Sequence, residues 1–303
     1  MSDLTAKIQK LKEEKKAVIL AHNYQRAEIQ DIADYVGDSI ELSRKASTEQ
    51  DAKIIVFCAV DFMAQSAAIL NPEKKVLLPT LGARCPMAQM LTTDEIKRAK
   101  AAHPSAPVVL YVNTLAEAKA ECDVCCTSAN AVEVINSLDA ETVLFGPDRN
   151  LAEYAAKKTG KKVIPIPEHG FCPTHLLFQP EDVIVLKQQY PKAKVMAHPE
   201  CSIEMQKTAD FIGSTSKMCR YAKEVDATEF IVGTEEGILH RLRKENPQKR
   251  FYLAYEGAIC PNMKLITLDR LYTSLKEEKH QVKVPEQAAA KARRSLERMF
   301  SVN

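Results

Sequence analysis

The sequence predicts an α/β protein made of three homologous three-layer α/β/α units, each with a short parallel sheet, arranged around a pseudo-threefold axis. Three observations predict it. Short apolar runs recur along the chain as AVILAH from Ala17, APVVLY from Ala106 and AKVMAH from Ala193. Helical stretches alternate with these and further apolar runs, the order that parallel sheets with right-handed crossovers require. Four sets of polar residues keep nearly the same spacing through all three copies, as a repeat architecture demands.

In the first unit the amphipathic segment MSDLTAKIQKLKEEKK predicts a helix ahead of AVILAH. That run is almost wholly apolar, the pattern of a parallel strand covered on both faces. DIADYVGDSIELSRKA reads as the next helix, KIIVF from Lys53 as the second strand and, after another helix, VLLP from Val76 as the third. The second unit repeats the order with TTDEIKRAKAAHP, APVVLY, ETVLF from Glu141, NLAEYAAKKTG and VIPI from Val163. The third does so with PEDVIVLKQQYP, AKVMAH, EFIVG from Glu229, EEGILHRLRKEN and FYLA from Phe251. LDRLYTSLKEEK then predicts a closing helix. The resulting boundaries are 1–90, 91–177 and 178–265 for the three units and 266–303 for a C-terminal helical tail. No Gly/Ser linker separates the units, so they are expected to pack together.

The 303 residues are 46% apolar and 27% charged, the balance of a folded globular chain. Lys+Arg number 42 against Asp+Glu 40, and no basic block could track a phosphate backbone, so nucleic acid is not an expected partner. No apolar run approaches the roughly 18 residues of a membrane span, and the N-terminus lacks the apolar centre of a signal peptide. The expected location is the cytoplasm. There, nine cysteines point to metal binding or catalysis sooner than to disulfides.

His22, Tyr111 and His198 end the first strands at intervals of 89 and 87 residues. Tyr24, Asn113 and Glu200 follow two residues on, and Ser39, Ser128 and Thr215 repeat the same two intervals. Cys85, Cys172 and Cys260 recur at 87 and 88, each followed by proline. All four sets fall beyond the carboxyl ends of strands, where α/β units bind ligands. Ser39, Ser128 and Thr215 also read as helix N-caps, and a helix N-terminus with a hydroxyl can hold a carboxylate or phosphate. Cys122, Cys125 and Cys126 form CDVCC without a second CxxC, so a structural role is expected. Cys58, Cys201 and Cys219 have no counterparts in the other units, and Cys201, beside Glu200, is expected to line the pocket.

Three thiolates from equivalent loops suit an iron–sulfur cluster or zinc. A structural zinc or a redox cluster takes four protein ligands, whereas three leave one metal position open, so the expected centre is a cluster with one iron free for substrate. Such an iron is a Lewis acid suited to dehydration. Glu200, His22, His198, Tyr24 and Tyr111 are the candidate acids and bases around it.

AHNYQ from Ala21, GDSIELSRKA from Gly37, YVNT from Tyr111, CTSANA from Cys126, HPEC from His198, GSTS from Gly213 and VGTEEG from Val232 together resemble the quinolinate synthase (NadA) family. The likeness runs from about Val18 to Met263. It implies a triangular arrangement of three α/β domains and a 4Fe-4S cluster on Cys85, Cys172 and Cys260. It also implies a transferase of de novo NAD biosynthesis that condenses iminoaspartate (iminosuccinate) with dihydroxyacetone phosphate to quinolinate, phosphate and water. An aspartate oxidase or dehydrogenase is the implied supplier of iminoaspartate. His22, Ser39, Tyr111, Asn113, Ser128, His198, Glu200 and Thr215 match the family's substrate-binding residues, and Tyr24 and Glu200 those implicated in proton transfer. Some members carry a CxxCxxC cluster near the C-terminus, whereas this chain has Cys260 alone there. Two other readings use the same cysteines: a diphthamide-type enzyme that cleaves S-adenosylmethionine, and a non-enzymatic cluster carrier or sensor.

Overall fold

The computed structural model describes residues 3–302; Met1, Ser2 and Asn303, at the ends of the predicted first helix and tail, lie outside them. The apolar runs form the inner strands. The first unit holds β1 (Ala17–His22), β2 (Tyr35–Gly37), β3 (Ile54–Cys58) and β4 (Lys75–Leu77). The second holds β5 (Val108–Tyr111), β6 (Val124–Cys126), β7 (Thr142–Gly146) and β8 (Lys162–Pro165). The third holds β9 (Lys194–Ala197), β10 (Phe211–Ile212), β11 (Glu229–Gly233) and β12 (Arg250–Leu253). The three sheets share one order, β2-β1-β3-β4, β6-β5-β7-β8 and β10-β9-β11-β12, and every pairing is parallel. The central strands are buried on both faces, which is why they read as unbroken apolar runs.

Each sheet has one more strand than the sequence predicts. The segment DIADYVGDSIELSRKA is not one helix but a helix at Ala27–Ile32, strand β2 and a second helix at Ser39–Thr48. An aspartate causes the break. Asp34 donates its amide to the Ile19 carbonyl at 2.9 Å and accepts the Ile19 amide on Oδ2 at 2.8 Å, which starts a strand beside β1. Asp123 with Val108 and Asp210 with Val195 repeat both bonds in the other two units. The three extra strands are too short for their apolar residues to show a period.

The capping reading also needs correction. Asp38, not Ser39, caps the helix Ser39–Thr48, in a capping box with Glu41. Ser214, not Thr215, caps the helix Thr215–Glu224, and Asn130 holds the cap position ahead of Ala131–Asn136. The hydroxyls of Ser39, Ser128 and Thr215 are thereby left for other partners.

The tail forms two helices where one was predicted, Leu268–Glu277 and Glu286–Phe300. The first packs on the helix Asp3–Glu14, the second on β6 and the helix Asp61–Leu70. One continuous apolar core joins the first unit, one face of the second and this tail, while the third unit keeps two cores of its own.

Candidate active site

All twelve residues in register line a single cavity, the concave setting of a small-molecule site. Parallel strands put every first-strand end on the same side of its sheet, and the three sheets direct those ends to one place. Asn113 Oδ1 is buried there without a hydrogen-bond partner, an acceptor positioned for a ligand. No lysine or arginine is among the described lining residues, so anion binding falls to hydroxyls, amides and the positive ends of the helices Ser39–Thr48 and Thr215–Glu224.

The two strand-end histidines sit alike. His22 Nδ1 accepts the Tyr24 amide at 3.2 Å, and His198 Nδ1 accepts the Glu200 amide at 3.3 Å. Both rings therefore carry their proton on Nε2, facing outward from the turn. Burial lowers each to about 3, so both are neutral donors; that of His198 reaches Ser128 Oγ at 3.2 Å.

Glu200 lies at the centre. Its Oε1 accepts the Tyr111 hydroxyl at 2.5 Å, and its Oε2 lies 2.8 Å from His175 Nδ1. Burial opposes the charged form, but His175 and the hydrogen bonds from His175 and Tyr111 outweigh it and hold the carboxyl below its ordinary range. Burial pushes Tyr24 and Tyr111 well up, which leaves both as protonated phenols. Thr215 Oγ1 accepts from Asn23 Nδ2 at 2.8 Å, and Asn150 donates to the Glu200 carbonyl at 2.9 Å.

His175 and Thr234 escape the sequence reading, because neither has a like residue in the other units. Thr234 Oγ1 lies 2.6 Å from the Tyr24 hydroxyl and 2.8 Å from His175 Nε2. His175 Nδ1 touches both Glu200 and, at 3.0 Å, Cys172 Sγ. A continuous hydrogen-bonded chain thus runs from Tyr24 through Thr234 and His175 to the Glu200 carboxylate. The signal for His175 is its place three residues after Cys172. Gly237 closes this corner: a Cβ there would come within 2.6 Å of the Tyr24 main chain.

Cys85, Cys172 and Cys260 are free thiols, partly buried against the same apolar core. Burial raises all three, and a negative charge on Cys85 or Cys260 raises Cys172 further. Three thiolates in one poorly solvated cavity need a compensating soft cation, so the donor set fits an iron–sulfur centre. Cys172, His175 and Glu200 also bring one ligand atom each within 4.8 Å of one another and could hold a single ion. Cys201 is fully buried and donates to the Gly233 carbonyl, and it is not among the residues lining the cavity. Cys122 and Cys125 lie 3.8 Å apart beside Ser295 of the tail, away from the cavity. No helix among the described residues is long and apolar enough to cross a membrane.

The family profile described as Quinolinate synthetase A protein matches residues 6–301. A curated protein named quinolinate synthase from Thermococcus onnurineus is 54% identical over 303 residues, covering 100% of this chain and 99% of its own. One of the same name from Pyrococcus horikoshii is 55% identical over 301 residues, covering 99% of each chain. A third, from Dehalococcoides mccartyi, is 52% identical over 299 residues, covering 99% of this chain and 98% of its own.

Proposed function

The chain belongs to the quinolinate synthase family, and from that premise we propose that it condenses iminoaspartate with dihydroxyacetone phosphate to quinolinate, releasing phosphate and water. The observation that carries this reading is that the three thiols and the Glu200 hydrogen-bond network line the same cavity. Cys85, Cys172 and Cys260 would hold a 4Fe-4S cluster. With three protein ligands, the cluster supplies a Lewis-acidic iron open to a substrate hydroxyl or carboxylate.

The chain's own groups do the rest. Asn113, Ser39, Ser128 and Thr215, with the two helix N-termini, hold the carboxylates and phosphate of the substrates. His22 and His198 donate from Nε2 and orient what is bound. Glu200, anionic and shielded from water, accepts protons at Oε2, while Tyr111 steadies Oε1. Tyr24, linked to Glu200 through Thr234 and His175, delivers a proton to a departing oxygen and recovers it along the same chain. Burial keeps both phenols protonated until a substrate atom takes the proton.

The test is anaerobic purification with iron and sulfide analysis, then an assay for quinolinate with both substrates. Bound iron and sulfide near four each per chain, together with turnover, support the reading. A second reading is a single ion on Cys172, His175 and Glu200, favoured by the closeness of those three atoms. One metal per chain and no sulfide would select it.

A further inference from the structure

Two of the loops that carry the three cysteines are themselves held by members of a fifth set of residues in register. Asp61, Asp148 and Glu235 follow β3, β7 and β11 at intervals of 87 and 87 residues. Asp61 Oδ1 accepts the Cys85 amide at 3.0 Å, and Glu235 Oε1 accepts the Cys260 amide at 3.0 Å. In the second unit the equivalent Asp148 Oδ2 is buried without a hydrogen-bond partner.

Each carboxylate also grips its own loop. Asp61 Oδ1 accepts the Phe62 amide at 2.9 Å, Asp148 Oδ1 the Leu151 amide at 2.7 Å, and Glu235 Oε2 the Gly237 amide at 2.7 Å. In the first and third units one acidic side chain therefore ties the turn after the central strand to the cysteine loop. Folding alone does not call for this. A neutral acceptor would hold a turn at less cost, since burial raises all three carboxyls and Asp148 and Glu235 are fully buried. Lys264 at 2.9 Å offsets the charge of Glu235, and Arg84 lies 3.8 Å from Asp61. An ionised acceptor makes a stronger, better-directed bond to an amide than a neutral one does.

We propose that Asp61 and Glu235 are positioning residues that fix the Cys85 and Cys260 loops through their main-chain amides, so that the thiols converge on one soft metal centre. This rests on the reading of the three thiols as ligands. Asp61 is not among the residues lining the cavity, so it acts on the metal centre through the loop backbone.

The test compares wild type, Asp61→Ala and Asp61→Asn as full-length chains reconstituted with ferrous iron and sulfide. Two quantities are followed: the rate at which a ferrous chelator bleaches the cluster absorbance, and the melting midpoint of each apoprotein. Asp61→Ala is expected to lose iron about tenfold faster, the usual scale for an outer partner of a metal ligand. Asp61→Asn, which keeps an acceptor oxygen but loses the charge, is expected to fall between wild type and Asp61→Ala. If the alanine variant does not fold, Asp61→Glu takes its place, because it keeps the charge and moves the acceptor, and faster loss is again expected. Release at the wild-type rate from folded Asp61→Ala, or Asp61→Asn as fast as Asp61→Ala, overturns the inference while leaving the ligands intact. A wild-type chain that takes up no iron overturns the ligand reading and this inference with it.

Discussion

Glu200 is the residue on which the chemistry is concentrated, because two phenols, two histidines and a cysteine lie around one buried carboxylate. Replacing it with glutamine keeps the size and one acceptor oxygen but removes the base. Glu200→Gln is therefore expected to retain iron and lose about 10²- to 10⁴-fold in turnover, the range of general base catalysis. Turnover equal to wild type would take Glu200 out of that role. Cys172→Ala has the opposite signature. It is expected to lose both the cluster and all quinolinate formation, read by iron analysis and product assay, and a variant with full iron content would remove Cys172 from the ligand set. His175 shows where single-residue reading ends. Its importance comes from touching Cys172 and Glu200 at once, and those residues meet only through the fold.

Among the elements, the tail helix Glu286–Phe300 carries more than its terminal position suggests. Ala292, Leu296 and Met299 are fully buried in the core shared by the first two units, and Ser295 Oγ accepts from the Cys125 thiol and donates to the Lys119 carbonyl. Leu296→Ala is expected to destabilise the protein by about 2–5 kcal/mol, the cost of a large-to-small core change. Denaturant unfolding checks this, and a change below about 0.5 kcal/mol, the scale of a surface substitution, would mean the tail is not part of the core. The short strands β2, β6 and β10 make the contrasting point. They are two or three residues long, too short for a hydrophobic pattern, and depend on Asp34, Asp123 and Asp210 pairing with the neighbouring strand. An aspartate directly before each short strand is recognisable in the sequence only once that bond is known.

The whole molecule is unevenly joined. The first two units and the tail share one apolar core, whereas the third meets the first through polar contacts. Ser214 donates to Asp38 at 2.9 Å, Asn23 to Thr215 at 2.8 Å, and Arg241 to Asn23 at 3.1 Å. Polar seams hold less tightly than shared cores. Native-state amide exchange is therefore expected to give residues 194–253 a lower opening free energy than residues 17–146, and equal protection would refute it. A second junction has a pH signature. Lys15 at 2.7 Å and Lys75 donate to Glu278, which holds its carboxyl down at about 2 against an ordinary 4.5. A carboxyl lowered on folding stabilises fully above its unfolded value, so this contribution is complete above pH 4.5 and fades as the pH falls towards 2. The melting difference between wild type and Glu278→Gln should shrink across that window. A difference that does not change with pH would show that the ion pairs add nothing, as exposed pairs often do.

The sequence by itself determined the threefold repeat, the inner strands and the residue types at twelve strand-end and loop positions. Apolar runs and spacing are local properties, written wherever a strand is buried on both faces. Only the tertiary structure decided which side chains meet: His175 with Cys172 and Glu200, Tyr24 with Thr234, and Asp61 and Glu235 with their cysteine loops. Those contacts join residues from different units or different loops, and their distances depend on how three sheets pack, which no linear spacing encodes.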